Sequence, residues 1–262
     1  MFHKLTVCVV AYKNYEDIKN MLLSLTEYTS STLNKHIYIV DNGAKESDSK
    51  SVDDFKNFVL GIPDAEYIET NSNLGFGRAH NLVINSIDSD YHAILNPDIV
   101  FCEDSFSKIV DLMDQDSSIG MAIPLITDEI GRVQDVYRRE LTVFDVFNRM
   151  FLKKLFKKRS AYHSMKDMDL NKPFNVPFGQ GSFLVIRTEI FKQLNGFDEE
   201  YFMYVEDADL CKRVNQISNL MFFPGTRVIH KWEKGSHRKI NLFRYHLRSM
   251  KHYFSKWGYR FF

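Results

Sequence analysis

The chain has 262 residues, 44% hydrophobic and 26% charged, which is enough for one large domain, or one domain with an appendage, around a substantial core. Its net charge of zero hides a division: residues 1–137 carry a net of −12 and residues 138–262 a net of +12, so one end is suited to something anionic. Three scattered cysteines exclude a disulfide framework or zinc site, no apolar run is long enough to span a membrane, and residues 5–11 lead into Lys13, Asn14, Glu16 and Asp17 rather than a signal-peptide cleavage site. A reducing, cytoplasmic setting is expected.

Residues 5–12, LTVCVVAY, are β-branched and almost continuously apolar, as in a strand buried on both faces. Asn14 stands as N-cap to a helix with Ile18, Met21, Leu22 and Leu25 at i, i+3, i+4 and i+7. Residues 36–40 make a second strand ending at Asp41-Asn42-Gly43, which predicts a parallel pair, and residues 65–69 read as a short third strand. Residues 71–81, NSNLGFGRAHN, place a glycine turn ahead of helical spacing at Ala79, Leu82, Val83 and Ile87, a geometry able to offer backbone N–H groups to an anion. His80 stands where a dinucleotide fingerprint needs its third glycine, which argues against a dehydrogenase. The strand at 91–95 stops at Asn96-Pro97-Asp98, putting a carboxylate at the sheet edge where open α/β folds bind ligands; the tripeptide is equally an ordinary turn signal. A helix with Phe106, Ile109, Val110 and Met113 on one face follows the N-cap Asp104, and residues 120–126 form another strand. These alternations predict an open, doubly wound α/β fold.

Beyond residue 137 the character changes. Residues 149–159, RMFLKKLFKKR, are a basic amphipathic run before a Met-rich polar stretch, so 145–172 is expected to be a partly mobile excursion from the sheet. Residues 179–187, GQGSFLVIR, return to a strand, Thr188 caps a short helix closed by Gly196, and residues 201–213, YFMYVEDADLCKR, open a helix with a carboxylate cluster. Taken singly, Asp41 is equally a strand end, Glu206 and Asp207 equally first-turn carboxylates favoured by the helix dipole, and His230 equally a satisfied buried histidine; Arg213 is expected to anchor a neighbouring acid. A strand at 221–223 and residues 227–230 lead to a basic, aromatic tail at 238–262. That tail is expected to be a helix packing its aromatic face on the domain, with an interfacial segment on anionic lipid as the alternative.

Together, Asp41, residues 73–81, Asp98 and Glu206-Asp207 supply what transfer from an activated diphosphate needs: nucleoside contacts, a metal ligand and a carboxylate base. The order and spacing of VVAYKN (9–14), VDNG (40–43), NLGFGRAHN (73–81), NPD (96–98), GQGSFLVIR (179–187) and YVEDADLCKR (204–213) resemble the family 2 glycosyltransferases of GT-A fold, rhamnosyltransferase-like branch, over roughly residues 5–236. The resemblance implies a mostly parallel open sheet flanked by helices. It divides the chain into a GT-A domain at 1–236, with a nucleotide-binding half at 1–130 and an acceptor-side half at 131–236, and a basic aromatic C-terminal helical extension at 237–262.

Residue by residue, the resemblance implies that Val10, Ala11, Tyr12 and Asp41 line the nucleobase and ribose, and that Asn73, Gly75, Arg78, Asn81 and Asn96 complete the nucleotide pocket. Asp98 corresponds to the last carboxylate of the DxD motif and would hold a divalent cation, Mg²⁺ or Mn²⁺; Asn96 replaces the first Asp, leaving one carboxylate where others have two. His230, followed by Ser236, fits the late histidine that closes the donor site, Asp207 matches the catalytic base, and Gly179, Gln180, Gly181 and Glu206 would meet the sugar and acceptor. The implied activity is inverting transfer from dTDP-rhamnose or a UDP-hexose to a glycan acceptor, lipid-linked, in bacterial surface polysaccharide synthesis at the inner face of the plasma membrane. Nucleic acid is not an expected partner, and a homodimer stays open. A catalytically silent nucleotide-sugar-binding or scaffold module is the alternative.

Overall fold

The computed structural model describes residues 3–152, 155–231 and 240–262; Ser236 and the expected boundary at 236–237 lie outside them. β1 (His3–Ala11) is central because both its faces are apolar: Leu5, Val7 and Val9 on one side and Cys8 and Val10 on the other are all buried. It pairs in parallel with β2 (Lys35–Asp41) and with β4 (Ser89–Leu95), and β3 (Ala65–Glu69) extends the parallel set beyond β2. Between them, α1 (Tyr15–Tyr28) buries the Ile18, Met21, Leu22 and Leu25 stripe, and α2 (Ser49–Leu60) is capped by Asp48, which accepts from Ser51 N at 2.9 Å. Asn14 does not cap α1 with its side chain. Its Oδ1 accepts from Tyr12 N at 2.8 Å instead, shaping the turn in which Lys13 has φ 64°.

α3 (Phe76–Asn81) is shorter than the apolar spacing predicts. After it Leu82, Ile84 and Ser86 donate to Ala79 O, Asn81 O and Val83 O, three residues back, so the chain continues as tight turns that still bury Val83 and Ile87. Periods of 3.0 and 3.6 residues are indistinguishable over so few turns. The first N–H of the helix is already used, since Phe76 N donates to Phe202 O at 3.1 Å. β5 (Ile99–Phe101), α4 (Ser105–Gln115), capped by Asp104 through Ser107 N at 3.1 Å, and β6 (Ile119–Thr127) complete the first half.

In the second half, β7 (Tyr137–Arg138) pairs with β9 (Phe178–Gly179) as a separate ribbon, and β8 (Phe174–Asn175) joins the main sheet. The excursion between β7 and β8 holds α5 (Val143–Phe147), a π-helical turn (Asn148–Leu152) and α6 (Lys157–His163). β10 (Phe183–Arg187), α7 (Thr188–Gln193), α8 (Glu206–Val214) and β11 (Asn219–His230) follow. Thr188 is the first residue of α7 rather than its cap; its hydroxyl meets Ser89 Oγ at 3.2 Å.

The main sheet runs β3–β2–β1–β4–β10–β6–β11–β5 and is mixed. Its parallel part is the one the first half predicts; β10 lies antiparallel between β4 and β6. The reason is the direction of entry: the chain reaches β10 through residues 179–182 at the edge where β4 ends, not from the opposite edge as a βαβ crossover would. α9 (Ile240–Trp257) packs the aromatic face of the tail on the domain, burying Met250, Tyr253 and Phe254. Its end is anchored at Asp209, fully buried, which accepts from Trp257 Nε1, meets Lys256 Nζ and accepts from Arg213 Nε, each at 2.8 Å. Arg213 thus anchors the neighbouring acid, as expected. Among the described residues no helix is long and apolar enough to cross a membrane.

Candidate active site

Four segments meet at one edge of the sheet. β4 stops at Asn96-Pro97 because proline has no N–H for the ladder, and Asn96 N donates to Ser182 O at 2.8 Å, fastening the 179–182 segment over Asn96, Pro97 and Asp98. The antiparallel register His230↔Ile99 between β11 and β5 brings His230 beside Asp98. α8 opens with Glu206 and Asp207 after Tyr204 and Val205, whose φ of 71° and 72° are left-handed; for a β-branched residue this is a strained approach. Gly181 N donates to Asp207 Oδ2 at 3.0 Å, a close approach that a side chain would crowd, because a Cβ there would stand 3.2 Å from Asp207 Cβ. These segments line one open cleft of about 1340 Å³.

The fit of a cation between Asp98 and His230 can be tested from the hydrogen bonds around them. Gln134 Nε2 donates to His230 O at 2.7 Å, so the atom it presents to His230 Nδ1, also at 2.7 Å, is its carbonyl oxygen, and Nδ1 must carry the proton. In the neutral ring Nε2 is then an acceptor, and it stands 3.2 Å from Asp98 Oδ1, a buried oxygen that accepts no hydrogen bond. Two acceptors at that separation call for a positive centre, either a proton on the ring or a bound cation. Adjacent ligands of an octahedral ion at about 2.1 Å are about 3 Å apart, so the pair fits Mg²⁺ or Mn²⁺ as two of its ligands. Among the described residues no set of three or more His, Cys, Asp or Glu groups surrounds it, which leaves the remaining positions to water or a ligand.

Glu206 is 6% exposed and its Oε2 has no hydrogen-bond partner; burial, with the Asp207 charge beside it, pushes its carboxyl up to about 8. Burial raises Asp207 as well, opposed by the Gly181 and Ala208 N–H groups and by the nearby charges of Arg138 and Arg149. The two adjacent buried carboxyls titrate as a coupled pair, and their proximity and burial favour a proton held between them. Asp207 lines the cleft. Gln180, Gly181 and Asn96 also line the cleft, while Gly179 packs behind it on Ile123 and Leu184.

The residues expected at the nucleotide lie at the adjoining ends of β1 and β2, where Val10 pairs with Val40 and Ala11 with Asp41. Val10 and Ala11 are buried and Tyr12 is 42% exposed, its hydroxyl on Glu46 at 2.8 Å. Asp41 is fully buried, with Gly43 N on one oxygen at 3.0 Å and Tyr67 OH on the other at 2.7 Å. None of these residues, nor Asn73, Gly75, Arg78 or Asn81, is among the lining of the cleft described above. Asn73 Oδ1 accepts from Gly75 N and Asn42 Nδ2, Arg78 Nε donates to Glu199 O at 2.7 Å, and Asn81 exchanges hydrogen bonds with Phe197 N and O, each 2.8 Å. Gly75, at φ 84°, passes so close to Phe202 O that a Cβ would sit 2.0 Å from it.

Sequence reasoning missed Gln134, Arg138, Arg149 and Asn42. Arg149 reads in sequence only as part of a basic amphipathic run, whereas it stands in the π-helical turn at the cleft wall. β7 carries Arg138 to the same wall by pairing with Phe178. Asn42 holds the 73–75 turn through Asn73 Oδ1, Leu74 N and Gly75 O.

Residues 6–194 match the model of glycosyl transferase family 2. Rhamnosyltransferase WbbL of Escherichia coli (strain K12) is 28% identical over 191 residues, covering 70% of each chain. The N-acetylglucosaminyl-diphospho-decaprenol L-rhamnosyltransferase of Mycobacterium tuberculosis (strain ATCC 25618 / H37Rv) is 27% identical over 240 residues, 86% of this chain and 75% of that one. In fold, the chain is similar to GalNAc-T7 solved with UDP, GalNAc and Mn²⁺, at TM-score 0.66 and 16% identity over 95% of this chain and 48% of that one. The mannosyltransferase PcManGT from Pyrobaculum calidifontis, solved with GDP-Man and Mn²⁺, gives 0.59 and 13% over 90% and 59%. The chain therefore spans about half to three-fifths of these solved chains. A GT-A fold with this family match over most of its length means that the chain belongs to glycosyl transferase family 2, as a rhamnosyltransferase-like glycosyltransferase.

Proposed function

We propose that the chain transfers a hexosyl group, from dTDP-rhamnose or a UDP-hexose, to a hydroxyl of a lipid-linked glycan acceptor, with inversion at the anomeric carbon. The observation that carries the reading is the position of Asp207: held by Gly181 N–H and facing the same cleft as His230, the partner of Asp98. Asp207 takes the proton of the acceptor hydroxyl as that oxygen bonds to the anomeric carbon and the bond to the donor diphosphate breaks, releasing a nucleoside diphosphate. Burial makes Asp207 a stronger base than an exposed aspartate, while a proton held by its pair with Glu206 keeps the second carboxyl from adding charge to the site. Asp98 and His230 would hold Mg²⁺ or Mn²⁺, and such an ion, when bound, neutralises charge on the leaving diphosphate. The β1–β2 edge, with Tyr12 as its exposed aromatic surface, would take the nucleoside. The lipid-linked acceptor is argued from the relative whose name specifies a diphospho-decaprenol glycan, and contact with a membrane from the basic, aromatic second half.

The test combines binding with turnover. Wild-type protein binds dTDP or UDP more tightly with Mn²⁺ than without it. Asp207→Asn keeps that metal-dependent affinity within about twofold and loses at least about a hundredfold in transfer rate, the contribution of a positioned base being typically 10²–10⁴. Unchanged turnover in Asp207→Asn would show that another group takes the proton.

A further inference from the structure

The wall of the cleft beside Asp207 carries two guanidiniums that form no ion pair with a carboxylate among the described residues. Arg138 is 8% exposed; it donates through Nη2 to Asp135 O at 3.0 Å and lies over the Phe178 ring, 5.4 Å from its centroid, and neither contact supplies a negative charge. Arg149 lines the same wall and makes no ion pair with a carboxylate among the described residues. The contrast with Arg159 is direct, since that guanidinium takes both oxygens of Asp145 at 2.6 Å. The Asp207 charge acts on both guanidiniums but pairs with neither, its oxygens accepting from the N–H groups of Gly181 and Ala208. On the same wall Asn148 Oδ1 and His163 Nδ1 are buried without a hydrogen-bond partner, His163 Nδ1 being 3.6 Å from Asp145 Oδ2.

Enclosing two guanidiniums whose nearby carboxylates, Asp207 and Asp135, make no hydrogen-bonded ion pair with them is unfavourable. The strain shows in Arg138, drawn down to about 9 by burial and by Arg149 beside it. Paired guanidiniums match the oxygens of phosphate better than any other common biological anion. Leu141, Met150, Phe243 and Met250 continue the cleft lining as an apolar surface, which suits a phosphate attached to hydrocarbon.

We propose that Arg138 and Arg149 form an anion subsite that takes the phosphate or diphosphate of the acceptor, separate from the donor diphosphate at Asp98 and His230. The identification of the anion as the acceptor's rests on the glycosyl-transfer reading above; the subsite itself rests on the arginines. Its occupant holds the acceptor beside Asp207 by a group remote from the reacting hydroxyl.

The experiment titrates inorganic pyrophosphate, and separately a short-chain alkyl diphosphate, into the full chain with its donor site filled by dTDP or UDP and Mn²⁺, by calorimetry. Both probes bind, and Arg138→Gln and Arg149→Gln each weaken them at least tenfold while changing nucleotide affinity less than twofold. Arg149→Lys, which keeps the charge, weakens them less, and thermal melts identify any variant that has merely unfolded. Tighter binding of the alkyl form assigns a lipid-borne phosphate, and equal binding assigns the phosphate group alone; both support the subsite. Absence of probe binding with the donor site filled, or equal loss of probe and nucleotide in the arginine variants, overturns it. Should no nucleotide bind at all, the donor reading falls, and the probes titrated alone still decide the subsite: arginine-dependent binding supports it and its absence overturns it.

Discussion

Glu206 and Asp207 are sequence neighbours at the start of α8, and burial makes them one titrating unit. Burial raises both carboxyls, and the Gly181 and Ala208 N–H groups oppose the rise at Asp207. Its folded value of about 8 exceeds the ordinary 4.5, so between those two pH values the folded protein keeps a proton that the unfolded chain has released. Stability contributed by this group is therefore whole below about pH 4.5 and lost as pH rises through about 8, a loss on the order of a few kcal/mol. Glu206→Gln removes the titration. Its melting temperature relative to wild type should rise by about 5 °C or more between pH 5 and pH 9, since 1 kcal/mol corresponds to about 2–4 °C in a chain of this size. The buried histidines, with His163 down at about 4, affect both proteins equally and cancel in the difference. A difference independent of pH would show that Glu206 does not hold the proton.

At the scale of elements, the site depends on strand register more than on any motif. β11 runs parallel to β6 with Ile229 opposite Thr127, and the chain turns back after β6 through Gly131, so that Gln134 N donates to Ile126 O and the side chain meets His230. Gln134 thereby sets the tautomer that points Nε2 at Asp98. Replacing it with leucine should weaken Mn²⁺-dependent nucleotide binding by about 10–100-fold and leave binding without metal unchanged, as measured by calorimetry. Equal affinity in the two proteins would mean that the ring needs no such orientation. The same dependence explains what could be read in advance. The strands β1, β2, β4 and β6 were legible because burial on both faces demands continuous apolar runs, and Asp98 and Asp207 because they follow a strand end and open a helix. Gln134 carries no local signal, since its partner is 96 residues away, and Arg149 in a basic run looks like any solvated arginine until the π-helical turn sets it at the cleft wall. Asn73, Arg78 and Asn81 show the converse. They look like ligand contacts in sequence, yet hydrogen bonds across the fold bind them to neighbouring chain.

Across the whole molecule, the division of charge matches a division of labour: the acidic half carries the parallel sheet edge and Asp98, and the basic half carries the arginine wall. The basic half also exposes apolar side chains that a protein wholly surrounded by water would have little reason to display together. Phe147 is 50%, Leu155 72% and Phe261 61% exposed, and they belong to segments in contact, because Val143 N and Phe144 N donate to Arg260 O and Phe261 O while the Phe144 ring meets those of Phe156 and Phe262. Lys157, Lys158 and Arg260 stand on the same segments, the combination that favours an anionic lipid interface. Under the lipid-linked acceptor proposed above, a surface of this kind would let the substrate reach the protein without leaving its membrane. Phe147→Ser, Leu155→Ser and Phe261→Ser together remove three insertions worth about 1 kcal/mol each, so partition onto vesicles containing anionic lipid should fall by about a hundredfold. None of the three lies on the cleft lining, so transfer to a water-soluble acceptor should be unchanged. Vesicle sedimentation checks the first outcome and a soluble-substrate assay the second; vesicle binding that survives the triple substitution would move the membrane contact to another face of the molecule.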